Sequence, residues 1–296
     1  MADAESTLAQ LRGEIDSIDD QLLALLMRRA EVAIAVGQAK NAYAPKALTI
    51  RPGREAQVLR RLVAAAGGHL PRPVVVRLWR ELMAMMLRLE GGFSVAVYAP
   101  ASQPGYWDLA RDHFGSLTPA TAYDSTQQVV NAVGAGRASV GVLPLPDGAD
   151  PQPWWPMMLG QDAMQPRVIA RLPFGVGDTV RGAPLEAFAV APCNPEPTGE
   201  DRSLLVVEAR AEISRSSLLA EGRTAGLEVG AIQSWQPPGE TERWLHLLDI
   251  EGFMPAEDPR LAGFAGKLDK ALGRIWPVGA YALPLTASEL GISKKA

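Results

Sequence analysis

The 296-residue sequence predicts a multidomain protein with an all-α three-helix domain (1–92), an α/β domain (93–197) and an α+β domain (198–296). Three observations carry this prediction. Apolar residues recur every three or four positions over residues 8–40, which is typical of a long helix. Short apolar runs then alternate with helical segments, and a strand-helix-strand-strand-helix-strand order closes the chain. A chain of this length is also expected to form more than one core.

The first helix has a narrow apolar stripe with one charged member. The apolar positions of the stripe are Leu8, Leu11, Ile15, Ile18, Leu22, Leu25, Val32 and Val36. Where the spacing calls for another aliphatic residue stands Arg29, with no acidic residue evident at the same level of the helix. A guanidinium in a helix seam is unfavourable without a counter-ion. Two explanations stay open: a polar residue that fixes register or oligomeric state, or a binding site for an anion.

Two further cations of this helix bear on an anion site. Lys40 lies ~16 Å beyond Arg29 along an ideal helix and nearly above it, so the two side chains could close on one small ligand. Arg12 is ~25 Å from Arg29 and ~42 Å from Lys40 by the same rise per residue. Arg12 therefore cannot reach that ligand from the same helix. A functional role for it requires a second subunit that completes the site across a two-fold axis.

Proline and glycine bound the other predicted helices of this domain. Ser6 or Thr7 can cap the first helix. The second helix is predicted over residues 53–66, before Gly67-Gly68, and the third from Pro71 or Pro73 through Leu89, before Gly91-Gly92. The methionines of the third helix are expected to pack in the core.

This helical region resembles the all-helical chorismate mutases, and specifically the mutase part of the fused mutase and prephenate dehydratase proteins. The matching runs are LRGEIDSIDDQLLALLMRRAEVAIAVGQAK, GREAQVLRRL and VVRLWRELMAMMLRLEGG. The resemblance implies an intertwined homodimer that rearranges chorismate to prephenate in phenylalanine and tyrosine biosynthesis, with no metal or other cofactor. The catalytic positions that it implies are Arg12, Arg29, Lys40, Arg54, Glu55 and Glu90.

The resemblance also gives these residues their roles. Arg29 and Arg12 of the partner subunit would clamp the two substrate carboxylates, since a forked guanidinium suits a carboxylate better than an ammonium does. Lys40 would donate to the ether oxygen and a neighbouring carboxylate. Glu55 would accept from the substrate hydroxyl, and Arg54 would add positive potential.

Three positions depart from the family pattern. Glu90 replaces a glutamine that donates to the ether oxygen, and a carboxyl group can donate only when it is protonated. Met86 stands where the family has a serine near a substrate carboxylate, and Arg51 stands where it has an acidic residue. These changes are expected to lower turnover without abolishing it.

The middle region resembles a reduced prephenate dehydratase. The matching runs are STQQVVNAVGAGRASVGVLPL and NPEPTGEDRSLLVVEA, the second of which begins in the predicted linker 194–201. The Glu-Asn-Ser triplet of the family falls on Pro146-Asp147-Gly148, and its catalytic Thr-Arg-Phe motif falls on Glu186-Ala187-Phe188. The stretch between the two matching runs is too short to hold the second lobe of the family's dehydratase domain. Dehydratase activity is therefore expected to be absent. Trp154 and Trp155 are expected to pack within a proline-rich loop.

The last region resembles an ACT domain, a ferredoxin-like fold, most clearly in WLHLLDIEGFMPAEDPRLAGFAGKLDKAL. The family's Gly-Ala-Leu falls on Ile213-Ser214-Arg215, and its Glu-Ser-Arg-Pro falls on Gln233-Ser234-Trp235-Gln236. Exchanging a glycine for isoleucine crowds a ligand that approaches the backbone. We therefore expect this region to pack between subunits and not to sense phenylalanine.

Composition narrows the class of protein. The chain has 29 basic and 33 acidic residues, a mild net charge of −4 that argues against a nucleic-acid partner or a polybasic membrane anchor. It has one cysteine, three histidines without ligand spacing, and an amino terminus unlike a leader, which favours a cytoplasmic protein without a metal. Two rival functions stay open: a bifunctional mutase and dehydratase, and a non-catalytic regulator that senses an aromatic amino acid.

Overall fold

The computed structural model describes residues 2–43, 50–160, 164–175, 185–268 and 272–292. The chain divides into two compact units. One comprises Met1–Thr49 and Met85–Gly92, and the other comprises Ile50–Ala84 and Phe93–Ala296. The third helix therefore contributes residues to both units. The domain boundaries at residues 92 and 197 stay predictions.

Seven α-helices are found within the described ranges. They are α1 (Ala2–Tyr43), α2 (Pro52–Ala65), α3 (Arg72–Gly91), α4 (Gly105–Phe114), α5 (Thr126–Gly134), α6 (Arg215–Thr224) and α7 (Pro259–Leu268). The predicted caps Ser6 and Thr7 lie inside α1, so the predicted start of this helix is wrong. A proline stands in the first turn of both α2 and α3, where its missing N–H group costs no hydrogen bond.

The strands form one sheet in the order β2-β1-β3-β5-β4-β9-β6-β8-β7. They are β1 (Val95–Tyr98), β2 (Ala120–Tyr123), β3 (Val140–Pro144), β4 (Arg167–Leu172), β5 (Ala187–Ala191), β6 (Asp201–Arg210), β7 (Val229–Trp235), β8 (Arg243–Glu251) and β9 (Leu272–Ala282). β1 runs parallel to β2 and β3. β4 and β9 meet through the pair Val168 and Gly279, where a Cβ on the glycine would lie 2.2 Å from the Val168 carbonyl oxygen. A glycine is therefore needed at this junction of the sheet.

The paired tryptophans lie in an apolar core formed with β-strand residues of the sheet. Trp154 and Trp155 are 2% and 1% exposed, and the Trp154 indole N–H donates to the carbonyl oxygen of Pro144 at 3.1 Å. The Trp154 ring meets Phe188 edge to face, and Phe188 in turn contacts Tyr281. The prediction of a packed loop around the tryptophan pair is confirmed.

The second helix is held by residues from much later in the chain. Its buried side chains, with Met83 of α3, form one cluster with Phe174 and two leucines near the C-terminus. The members are Ala56, Leu59, Val63, Met83, Phe174, Leu285 and Leu290. Burying one leucine or phenylalanine contributes ~1.5–3 kcal/mol. The α/β part of the chain therefore stabilises α2 and the first half of α3.

Candidate active site

One face of α1 carries two small residues between two cations. Ala33 and Gly37 are buried one turn apart, and Arg29 and Lys40 flank them at helical spacing. A Cβ added at Gly37 would come within 2.5 Å of the carbonyl oxygen of Glu90. The small residues therefore allow α1 to approach the end of α3 closely. Sequence reasoning missed this feature, whose signal is a glycine inside a long helix.

Glu90 is the acidic residue at this contact. Lys40 Nζ donates to Glu90 Oε2 at 2.7 Å, and the Glu90 side chain is 13% exposed. Burial lowers the pKa of the Arg29 guanidinium, and the negative charge of Glu90 opposes that shift. The expectation that Arg29 has no acidic residue at its level is therefore wrong, because Glu90 arrives from another helix. Two cations of α1 converge on one carboxylate.

This cluster of Arg29, Lys40 and Glu90 keeps one net positive charge when all three groups are ionised. A half-buried site with excess positive charge attracts anions more strongly than the same charges would in water. Ammonium and guanidinium groups together supply both a point charge and a planar fork of donors. The arrangement is suited to a small ligand with carboxylates.

Arg12 lies on α1 away from this cluster, and its side chain is exposed. Each member of the predicted apolar stripe of α1 is also exposed. Their exposed fractions are Leu8 47%, Leu11 51%, Ile15 57%, Ile18 48%, Leu22 52%, Leu25 67%, Val32 48% and Val36 39%. An exposed apolar stripe of this length is typical of a helix that packs against a partner.

The predicted pair on α2 lies in the other compact unit. Arg54 is exposed, whereas Glu55 Oε2 accepts a hydrogen bond from Arg80 Nη1 at 2.8 Å. Burial lowers the pKa of Arg80, and Glu55 opposes the shift both by its charge and by the hydrogen bond. Sequence reasoning missed Arg80, since nothing along the chain marks an arginine of α3 as the partner of a carboxylate on α2.

The two remaining departures, Met86 and Arg51, lie in different compact units. Met86 is 4% exposed and belongs to the same unit as Arg29, Lys40 and Glu90. Arg51 donates to both carboxylate oxygens of Glu196, at 3.2 and 2.9 Å. The segment predicted to be a linker is thus tied to the start of α2.

A cavity of about 500 Å³ lies where β1 and β3 end. Its lining includes Asp124, Asp147 and Asp150, and no lysine or arginine is among the described residues that line it. Glu186 accepts two hydrogen bonds from Arg171, at 3.1 and 2.8 Å, and the following Ala187 and Phe188 are buried in β5. An acidic cavity disfavours a dianionic ligand.

Arg215, which stands where the family has a leucine, is joined through Ser234, which the family pattern retains, to His246. Arg215 Nε donates to Ser234 Oγ at 2.7 Å, and Ser234 Oγ lies 2.8 Å from His246 Nδ1. Burial, aided by the Arg215 charge, lowers the pKa of His246 to about 4. These three side chains are therefore engaged with one another.

The described residues offer little to metal or thiol chemistry. Among them, no three His, Cys, Asp or Glu side chains are grouped so that they could hold a metal ion. Burial raises the pKa of the Cys193 thiol to about 12, which keeps it in the unreactive protonated form. Within the same ranges, no helix combines the length and the apolar character required to cross a membrane.

The helical segment matches a known protein family. Residues 11–91 match the family model of chorismate mutase type II, and the chain thus contains a chorismate mutase type II domain. Arg12, Arg29, Lys40, Arg54, Glu55 and Glu90 all fall within the matched residues.

Among known proteins, the chain is similar to bifunctional chorismate mutase/prephenate dehydratases. It is 34% identical over 153 residues to the protein of Stutzerimonas stutzeri, and 34% identical over 155 residues to that of Pseudomonas aeruginosa. Each match covers 51% of this chain and 41% of the relative. The matched part therefore spans less than half the length of these relatives.

Solved structures give weaker similarity. GqqA, titled a novel type of quorum quenching acylase, is 17% identical with a TM-score of 0.48, over 69% of this chain and 98% of that one. The prephenate dehydratase from Streptococcus mutans is 11% identical with a TM-score of 0.45, over 65% of this chain and 99% of that one. The architecture of a helical domain followed by an α/β domain follows from the elements and strand order above.

Proposed function

We propose that this chain catalyses the rearrangement of chorismate to prephenate. The observation that carries the proposal is the convergence of Arg29 and Lys40 on Glu90, at three positions where the resemblance expects substrate contacts. The reaction is unimolecular, so the protein must hold a folded substrate conformer and stabilise charge on the ether oxygen as its bond breaks. A site with two cations beside one carboxylate suits that chemistry, which requires no nucleophile.

Each group of the cluster has a proposed task. The Arg29 guanidinium holds one carboxylate of chorismate through paired hydrogen bonds. Lys40 moves its hydrogen bond from Glu90 to the ether oxygen and a carboxylate of the substrate. Glu90 donates to the ether oxygen in its protonated form, since an ionised carboxylate has only acceptors.

The other catalytic positions stay proposals that rest on the resemblance. Glu55 accepts from the substrate hydroxyl, and Arg54 adds positive potential. Met86 provides an apolar wall where the family has a hydroxyl, so one hydrogen bond to the substrate is lost. Losing one such bond to a charged group costs ~1.5–3 kcal/mol, which is about a tenfold to hundredfold loss of rate.

The pH dependence tests the role of Glu90. The rate with wild-type protein is expected to fall as pH rises, because the donating proton of Glu90 is lost. The Glu90→Gln variant is expected to keep its rate at high pH, because an amide donates at every pH. The measurement is kcat/KM for chorismate from acidic to alkaline pH.

A control variant, Glu31→Gln, alters an exposed carboxylate of α1 that pairs with Arg28. This variant should keep the wild-type pH profile. A Glu90→Gln variant whose profile also follows the wild type would remove Glu90 from the mechanism.

We further propose that α1 packs against α1 of a second copy in a homodimer. The exposed stripe and the distance of Arg12 from the cluster support this arrangement, because a two-fold axis would bring Arg12 of the partner subunit to the site. The proposed partners are otherwise limited to the small-molecule substrate, with no nucleic acid or membrane, and the proposed location is the cytoplasm.

We propose that the remaining regions have lost their own chemistry. The buried Ala187 and Phe188 and the acidic cavity beside Asp147 support loss of dehydratase activity. The strand order β9-β6-β8-β7, with α6 and α7 between strands, is that of a ferredoxin-like unit and supports an ACT-like region. The hydrogen bonds between Arg215, Ser234 and His246 support its role in packing, with no phenylalanine site.

Product analysis with two substrates tests the proposed function. Purified protein incubated with chorismate should accumulate prephenate, and the same protein incubated with prephenate should form no phenylpyruvate. Phenylpyruvate formed faster than in a protein-free control would support the bifunctional alternative. Loss of neither substrate would support a non-catalytic protein.

A further inference from the structure

Glu55 and Arg80 form a buried ion pair between α2 and α3. Arg80 Nη1 lies 2.8 Å from Glu55 Oε2, and the side chains are 6% and 14% exposed. Such a pair gains little net stability, because removing two charges from water costs about as much as their attraction returns. Arg80 Nε is also buried without a hydrogen-bond partner. An apolar pair of the same size would stabilise the packing of the two helices at least equally. Stability alone therefore does not explain why an ion pair stands here.

The guanidinium of Arg80 is held from the α/β part of the chain. It lies 5.3 Å from the centre of the Phe174 ring, which is 4% exposed and follows β4. Arg60 lies over the same ring at 5.8 Å. Burial and the positive charge of Arg80 together lower the pKa of His113, whose ring packs against Phe114. Arg80 therefore has an aromatic surface and a carboxylate that together limit its side chain to one place.

We propose that Arg80 is a positioning residue of the mutase, orienting the Glu55 carboxylate and held in turn by Phe174 of the α/β region. This inference rests on the proposed function and extends it to a residue that acts through another. A carboxylate fixed by a buried cation keeps one orientation, and a displacement of ~1 Å at a substrate-binding group can cost ~10²-fold in rate. The α/β region thus contributes to the mutase by supporting one of its side chains.

The test compares Arg80→Gln with Glu55→Gln and with the double variant, using kcat and KM for chorismate. Arg80→Gln is expected to lower kcat/KM about 10- to 100-fold, and to change kcat and KM in the same sense as Glu55→Gln. The double variant should lose no more than Glu55→Gln alone, because Arg80 acts through that carboxylate. Arg80→Lys should recover part of the loss.

Two controls separate positioning from folding. Arg77→Gln removes an exposed ion pair with Asp112 one turn earlier on α3, and kcat/KM should stay within about twofold of wild type. The double variant has two neutral amides at the pair and leaves no unpaired buried charge, so it gives a folded comparison if Arg80→Gln unfolds. Thermal unfolding of each variant reports the folded fraction.

Additive losses from Arg80→Gln and Glu55→Gln would overturn the inference, as would an Arg80→Gln variant with wild-type kcat and KM. A loss that only follows the folded fraction would also overturn it. A wild-type protein that leaves chorismate unchanged would instead contradict the proposed function, and this inference with it.

Discussion

The Arg29→Ala variant is expected to consume chorismate about 10²- to 10³-fold more slowly than wild type. A bidentate guanidinium–carboxylate contact supplies two charge-assisted hydrogen bonds, each ~1.5–3 kcal/mol, and one decade of rate corresponds to ~1.4 kcal/mol. The variant also removes one positive charge from the site, so the site attracts a dianion less strongly. The measurement is kcat/KM for chorismate with purified, folded protein.

Arg28 provides a matched control beside Arg29. It is exposed, and its guanidinium pairs with Glu31 at 2.8 Å on the outer surface of α1. Arg28→Ala changes the same type of side chain one position away and should leave kcat/KM within about twofold of wild type. Equal losses in the two variants would show that the cations act through helix stability or general charge, and that no substrate contact is specific to Arg29.

Replacing Leu22 by aspartate is expected to separate the proposed dimer, whereas replacing Leu23 is not. The two leucines are neighbours with similar exposure, 52% and 58%, but Leu22 belongs to the apolar stripe and Leu23 does not. In an isolated helix both substitutions would be tolerated. In a packed interface, a buried aspartate without a partner is expected to cost several kcal/mol. Sedimentation analysis gives the oligomeric state of each variant.

Loss of the dimer should also lower activity. The Leu22→Asp variant is expected to lose at least about tenfold in kcat/KM, because Arg12 lies ~25 Å from Arg29 on its own helix and reaches the site only from a second copy. Leu23→Asp should retain both the dimer and the rate. A wild-type protein that sediments as a monomer while converting chorismate would remove Arg12 and the shared interface from the account.

The helices and most strands could be predicted because their signals are local. Proline and glycine mark the ends of α2 and α3, and the strand-helix-strand-strand-helix-strand order predicted for the end of the chain agrees with β6, α6, β7, β8, α7 and β9. β2 was not predicted. Its four residues, Ala-Thr-Ala-Tyr, are exposed or half-buried and lie at the sheet edge. They form a strand because they pair with β1, and their composition alone does not indicate one.

The candidate site could be predicted only in part, since its contacts join distant parts of the chain. The periodicity of α1 places Arg29 and Lys40 on one face, but it does not show that Glu90 comes to meet them. The close approach at Gly37 arises from packing between helices. The partner of Glu55 is likewise set by how α2 and α3 pack, which no spacing of residues reveals.

The most direct test of the central claim is the rate of chorismate disappearance with the full chain, set against the uncatalysed rate in the same buffer. The account predicts conversion to an equal amount of prephenate, far above the uncatalysed rate and strongly reduced by Arg29→Ala. Chorismate lost no faster than in buffer, from a folded dimer, would contradict it.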